Sequence, residues 1–486
     1  MKFLRFLLPL AMLVLITAVM SNSFDLDLGW HLAFGQAFWN TGHFPYLDTS
    51  TWTYAGRLWV NHEWGGDLVN WMIYQNFGYF SLVAIMSLTL WAAFLGVHRA
   101  FKQTLTVPAL VASLVGVWFI EQTIVMRLAM LTPLFLVLTL AALERATKKR
   151  IILIIPALIY LWSLLHGSWI LGFAVMFVYA AGILLQNIMS KSKDWQGLRN
   201  IVLSAAIAAP LPLLNPYGIG IYQEVAKYFT ETFFKQHITE WLPVYATPVY
   251  ARSLVFIAIA LIIFFLALKR RRLTMPQILL FVAFLVAGIG GKRNMILFVL
   301  VATPLVAGFG ETMANWIAKK LSLDNARFYM RIICVFGCMA LALATCANAL
   351  TFKFKNIWTE TEVLAQYNAP ISAIRFLAKK TGAPKYIFNY FEWGGTLTWL
   401  LPSDKIFLSG SGTATWRRNN SETLLGEYFF ILNKPGGLVK LMNSPAQYAL
   451  LPLSKAKTTL GADLDNSPDW KRVMSDDTAI IWQRLK

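Results

Sequence analysis

A chain of 486 residues that is 57% hydrophobic and only 14% charged, with a mean hydropathy of +0.55, lies far from the average soluble domain, in which roughly a quarter of residues carry charge. The formal charge of +19 does not mark a nucleic-acid binder. Its Lys and Arg residues are not gathered into one basic domain with interleaved aromatics but sit between hydrophobic runs, as suits a surface facing anionic lipid.

Those runs, about 15 to 20 residues long and free of Asp, Glu, Lys and Arg, have the length needed to cross a hydrocarbon core of about 30 Å. In chain order they predict spans at 6–22, 79–97, 105–120, 128–143, 151–165, 169–187, 200–214, 253–268, 276–290, 295–312 and 332–350, eleven in all. The opening MKFLRFLLPLAMLVLITAVM has the basic start and apolar middle of a signal peptide. Met20 is a poor residue to precede a cleavage site, however, and the segment is read as a retained first span. Cys334, Cys338 and Cys346 all fall in the last run and imply neither a disulfide nor a metal site.

With the N-terminus in the cytoplasm, the inner segments hold nineteen Lys and Arg residues, including Lys148 to Arg150 and Lys269 to Arg272. The outer segments before residue 351 hold seven. This bias predicts a multi-pass protein of the inner membrane with its N-terminus cytoplasmic. Two long outer loops interrupt the pattern, at 23–78 and 215–251. The expected organisation is a membrane domain over 1–350 and a soluble extracytoplasmic domain over 351–486. In the latter, Pro370 to Lys380 reads as a helix, and KYIFNYF, KIFLSG, YALLPL and AIIWQRL read as strands of a small α/β domain.

Chemistry concentrates just after the first span. Phe24-Asp25-Leu26-Asp27-Leu28-Gly29-Trp30-His31 places two carboxylates and an imidazole at the outer interface. There a carboxylate can bind a divalent cation or act as general base toward a hydroxyl, although Asp25 and Asp27 could equally cap a helix. In a helical reading Asp27 and His31 share a face. Later in the loop, Trp59-Val60-Asn61-His62-Glu63-Trp64-Gly65-Gly66-Asp67 adds a polar cluster that an aromatic anchor belt does not require.

Arg127, Lys292 and Arg293 are cations where the orientation predicts few. A phosphate at the interface would explain them, as would snorkelling toward headgroups. His166, in LLHGSW, is a candidate contact or a structural hydrogen-bonder. None of the eleven spans carries an Asp, Glu, Lys or Arg near its middle, which disfavours an ion-coupled transporter.

This layout resembles the GT-C superfamily of integral membrane glycosyltransferases, which includes oligosaccharyltransferase catalytic subunits, protein mannosyltransferases and lipid A aminoarabinose transferases. The shared plan is one span, a long outer loop opening on acidic residues, many spans and a C-terminal extracytoplasmic domain. The strings DLDLGWHLAFGQ, TGHFPYLDTSTWTYAGRLWVNHEWGG, HGSW, NPYG, ITEWLP, KRN and NYFEWGG resemble bacterial GT-C-like multi-spanning proteins over most of the chain.

The resemblance implies transfer of a sugar from a polyprenyl-phosphate donor to an acceptor in the cell envelope. Asp27 would be the base and Asp25 would assist it or join it in holding a divalent metal, which some members use and others do not. Arg127, Lys292 and Arg293 would stabilise the leaving phosphate, and His31, His62, Glu63 and His166 are further candidate substrate contacts. The alternatives are a non-catalytic component of polysaccharide or glycolipid assembly or export, and a transporter.

Overall fold

The computed structural model describes residues 2–21, 23, 25–190, 193–248, 250–320, 369–412, 416–418 and 422–485. The expected eleventh span, 332–350, lies outside them. Among the described residues, fourteen α-helices precede it: α1 (Lys2–Ser21), α2 (Leu28–Thr41), α3 (Trp64–Phe77), α4 (Tyr79–Ala100), α5 (Val107–Ile120), α6 (Thr132–Leu143), α7 (Ile151–Leu165), α8 (Ile170–Met189), α9 (Trp195–Ala208), α10 (Gly220–Thr230), α11 (Thr232–His237), α12 (Tyr250–Lys269), α13 (Met275–Gly290) and α14 (Met295–Lys320). Each of the first ten expected spans therefore has its helix.

The chain packs as two compact units, neither continuous in sequence. One draws on Met1–Ser23, Phe80–Asn215 and Lys235–Phe354, the other on Phe24–Tyr79, Pro216–Phe234 and Lys355–Lys486.

The first unit is the apolar helical one. Among the described residues, five helical segments are long and apolar enough to cross a membrane: Tyr79–Ala100, Gly167–Met189, Trp195–Leu214, Tyr250–Lys269 and Lys292–Met313. Shorter apolar helices include Val107–Thr123, Leu128–Leu143 and Ile151–Leu165. Leu153, Phe177 and Ile188 lie largely exposed on these helices, as suits an apolar, lipid-facing surface. The protein is thus a multi-pass membrane protein. Sequence sets the helix starts: Thr106 accepts from the Ala109 N–H at the head of α5, Asp194 accepts from the Gly197 N–H at the head of α9, and Thr274 and Gln277 form a capping box on α13.

The second unit is built on a five-stranded mixed sheet: β1 (Tyr386–Asn389), β2 (Lys405–Ile406), β3 (Tyr448–Pro452), β4 (Trp470–Ser475) and β5 (Ala479–Arg484), in the order β2-β1-β3-β5-β4. β1 runs parallel to β2 and β3, and β5 runs antiparallel to β3 and β4. Four of the strands coincide with strand-like runs of the sequence; β4, whose exposure pattern is mostly open, carried no such signal. Ile371–Ala378 is the expected helix. Ile387, Leu397, Ile406, Leu450 and Ile481 form the core, and Leu26 packs against it.

The first loop is sewn into this sheet. Thr51 bridges Ile406 in parallel register beside β2, the Trp52 N–H donates to the Ile406 carbonyl at 3.0 Å and the Ile406 N–H donates to the Ser50 carbonyl at 3.1 Å. Asp48 holds this edge by accepting from the Ser50 and Thr51 hydroxyls at 2.8 and 2.6 Å.

Candidate functional site

α2 begins at Leu28 with Asp27 in the N-cap position, yet Asp27 makes no side-chain cap hydrogen bond. Asp25 Oδ1 instead accepts the Asp27 N–H at 3.0 Å, which fixes the backbone entering the helix. The Asp27 carboxylate faces the C-terminal part of the unit: a Cβ added to Gly410 would fall on Asp27 Oδ1 and lie 2.7 Å from its Cγ.

One helical turn on, His31 is buried and its Nδ1 lies 2.5 Å from Asp67 Oδ1. Asp67, wholly buried on the first turn of α3, also accepts from Asn61 Nδ2 at 2.6 Å. His31 Nε2 faces Glu63 Oε2 across 3.7 Å, beyond hydrogen-bond reach. His62 Nε2 lies 3.3 Å from Glu63 Oε1. α3 supports this arrangement by its spacing, since Glu63 and Asp67 stand one turn apart at its start. Gly35 lets α2 approach α3 closely enough for the pairing: a Cβ there would lie 2.6 Å from Trp71 Cβ. Trp30 stacks on His31 with centroids 3.6 Å apart, and Trp59 packs edge-on against Trp30 at 6.3 Å.

Electrostatics favour a proton in this cluster. Burial opposes charge on His31, but the carboxylate of Asp67, its hydrogen bond, and the charges of Glu63 and Asp27 outweigh it and raise the imidazole above its ordinary value. Burial likewise pushes Asp67 up, against the pull of His31, so the two side chains titrate as a pair. Burial also opposes charge on His62, and Glu63 overcomes it, again with an upward result.

The remaining sequence candidates belong to the first unit. Arg127 Nη1 donates to Glu240 Oε2 at 2.8 Å. The Arg293 guanidinium lies 4.3 Å from the centroid of the Trp241 ring. The Lys292 N–H donates to the Leu242 carbonyl at 2.9 Å, so the ITEWLP and KRN segments are bound together, with consecutive residues of the former receiving the two arginines. His166 is a cap: its Nδ1 accepts the Ser168 N–H at 3.0 Å and lies 2.6 Å from the Ser168 hydroxyl.

Asp67 and Gly410 were absent from the sequence-derived site. The i,i+4 spacing of Glu63 and Asp67 was a usable signal for the first. Nothing local announces that Gly410, far along the chain, meets Asp27.

Among described residues, His31, Glu63 and Asp67 form a group whose candidate metal-ligand atoms all lie within 4.8 Å of one another. With Asp67 on His31 Nδ1, the donors that face one another are His31 Nε2 and a Glu63 carboxylate oxygen, types that Zn²⁺ and Mn²⁺ accept.

No family model and no curated protein sequence matches the chain; solved structures of similar fold do. The oligosaccharyltransferase AglB of Archaeoglobus fulgidus, solved with an inhibitory peptide and a dolichol-phosphate, superposes with a TM-score of 0.58 at 12% identity, over 93% of this chain and 69% of that one. ArnT from Cupriavidus metallidurans bound to undecaprenyl phosphate gives 0.57 at 12% identity, over 97% and 96%. The A. fulgidus oligosaccharyltransferase in complex with Zn and sulfate gives 0.50 at 10% identity, over 90% and 68%. At this identity the likeness is one of fold: the helical membrane unit and the small C-terminal mixed sheet share the architecture of these oligosaccharyltransferase and ArnT structures.

Proposed function

We propose that this protein is a glycosyltransferase that moves a sugar from a polyprenyl-phosphate donor to an extracytoplasmic acceptor, with inversion. Asp27 serves as the base or acceptor-orienting group. The observation that carries the reading is the Asp27 carboxylate at the head of α2, one turn before the buried His31–Asp67 pair. The fold adds support, because relatives of the same architecture were solved with dolichol-phosphate and undecaprenyl phosphate.

In the proposed reaction the acceptor hydroxyl oxygen attacks the anomeric carbon and the bond from that carbon to the phosphate oxygen breaks. The acceptor proton passes to Asp27, and the polyprenyl phosphate departs with the bonding electrons. A positioned base of this kind contributes about 10² to 10⁴ in rate. Asp25 holds the backbone of Asp27, and His31, His62 and Glu63 line the acceptor side. Departing phosphate needs cationic stabilisation, for which Arg127, Lys292 and Arg293 are the assigned groups; of these, Arg127 and Arg293 already rest on Glu240 and Trp241. The proposed orientation puts the N-terminus in the bacterial cytoplasm and the C-terminal domain outside.

The residues present fit a divalent metal ion. His31 Nε2 and Glu63 Oε2, separated by 3.7 Å without a hydrogen bond, would hold it, with Asp67 orienting the imidazole from its other nitrogen. Bound there, the ion would supply positive charge that polarises an acceptor hydroxyl. Asp25 and Asp27, the metal pair proposed from sequence, lie at the start of the same helix.

The test uses membranes carrying the full chain. A radiolabelled polyprenyl-phosphate-sugar pool should deliver label to an endogenous envelope acceptor, and Asp27→Asn should abolish delivery while the detergent-purified variant still melts cooperatively. Full transfer by this variant would remove Asp27 from the mechanism.

A further inference from the structure

We propose that the C-terminal domain completes the active site, with Gly410 as a positioning residue whose bare backbone walls in the Asp27 carboxylate. The inference rests on the reading of Asp27 as the reacting carboxylate, and the geometry behind it is independent of that reading.

Glycine is found where the backbone needs a positive φ or where another group needs the space of a side chain. Gly42, Gly56, Gly78, Gly218, Gly382 and Gly436 have positive φ; Gly410 does not. Its reason is space. A Cβ at this position would fall on Asp27 Oδ1 and lie 2.7 Å from Cγ and from Oδ2, far inside any contact that carbon and carboxylate tolerate.

The same logic repeats on the other side of Asp27. Gly395, also without positive φ, would place a Cβ 2.6 Å from the Leu26 carbonyl oxygen and 3.0 Å from Asp27 Cα. Two separate segments of the C-terminal domain thus use missing side chains to close on one aspartate, one at its carboxylate and one at its backbone.

The wall is held from behind. Asn389 is fully buried at the end of β1. Its Oδ1 accepts the Phe407 and Leu408 N–H groups at 2.9 and 3.2 Å, and its Nδ2 donates to the Leu408 carbonyl at 2.9 Å. Beyond Gly410, Trp59 Nε1 donates to the Ser411 carbonyl at 3.1 Å, and the Ser409 and Ser411 hydroxyls lie 2.7 Å apart. Asp27 therefore meets a backbone surface anchored at both ends. A carboxylate so confined keeps one orientation toward an acceptor hydroxyl, and misplacement by about 1 Å costs on the order of 10² in rate.

The experiment is a double-mutant cycle on the full-length protein in detergent, read by melting temperature, with transfer kinetics on the same preparations. Gly410→Ala should lower the melting temperature in the wild-type background, and the loss should largely vanish when Asp27→Ala has vacated the space. Should Gly410→Ala alone fail to fold, recovery of a folded Asp27→Ala/Gly410→Ala protein carries the same information. Equal losses in both backgrounds would overturn the contact.

In transfer assays Gly410→Ala should reduce kcat about 100-fold with KM within about twofold. Unchanged kcat would overturn the positioning role even if the two sites couple. Coupling in melting together with a wild-type protein that transfers nothing would instead refute the glycosyltransferase reading and leave the wall standing.

Discussion

His31 and Asp67, 36 residues apart in sequence, meet at 2.5 Å with both side chains buried. The pair converts two separate polar stretches of the first loop into one cluster, because Asp67 takes one imidazole nitrogen and leaves the other turned toward Glu63. Losing a carboxylate that orients a metal-binding imidazole from its far nitrogen typically costs about 10- to 100-fold in metal affinity. Asp67→Asn should therefore weaken Zn²⁺ or Mn²⁺ binding by about that factor in calorimetric titration of the metal-stripped protein. If wild type and variant bind equally, the cluster is a hydrogen-bonded core and not a metal site.

Arg127 and Glu240 form a partly exposed pair at 2.8 Å, whose stabilising contribution is of order 0–1 kcal/mol. Arg127→Ala should thus melt close to the wild type yet bind undecaprenyl phosphate about tenfold more weakly, a difference of about 1.4 kcal/mol. Glu240→Ala should bind it more tightly, since it removes the carboxylate that competes for the guanidinium. Identical affinities for all three proteins would place the phosphate elsewhere.

Glu392, in the NYFEWGG segment, has its carboxyl raised by burial, against the pull of Lys455 and the Tyr390 hydrogen bond. A carboxyl with a folded-state value above its unfolded one binds its proton more tightly when folded. Its contribution is fully present below the unfolded value and is lost as pH rises through the folded one. Glu392→Gln should then melt above the wild type at pH 7, and the two curves should converge near pH 4. A difference that is constant with pH would assign the effect to something other than ionisation.

Lys457 is exposed in the C-terminal domain. In a background with Cys334, Cys338 and Cys346 replaced, Lys457→Cys should react with a membrane-impermeant maleimide in intact spheroplasts. Labelling only after lysis would reverse the proposed orientation and exclude an extracytoplasmic site.

Much of the fold was legible because it depends on local physics. A run of about 15 to 20 apolar residues satisfies its own backbone in lipid by becoming a helix, so the helices at the first ten expected spans were readable from composition. β1, β3 and β5 were legible in the same way as apolar runs between turns. β4 was not, since its sequence WKRVMS is edge-like and largely exposed, and its partner β5 supplies the pairing that defines it.

Sequence by itself determined the membrane class, the helix positions, the compositional break after Leu350 and the presence of acid and imidazole groups behind the first span. Tertiary structure decided what those groups touch. It packed the first loop with the C-terminal sheet in one compact unit, joined His31 to Asp67, settled Arg127 on Glu240 and brought Gly410 against Asp27. The physical reason is range: hydropathy and periodicity report on a residue's own neighbourhood, whereas a contact between positions hundreds of residues apart depends on how whole elements pack. A glycine that exists to leave room for a distant carboxylate carries no local signature.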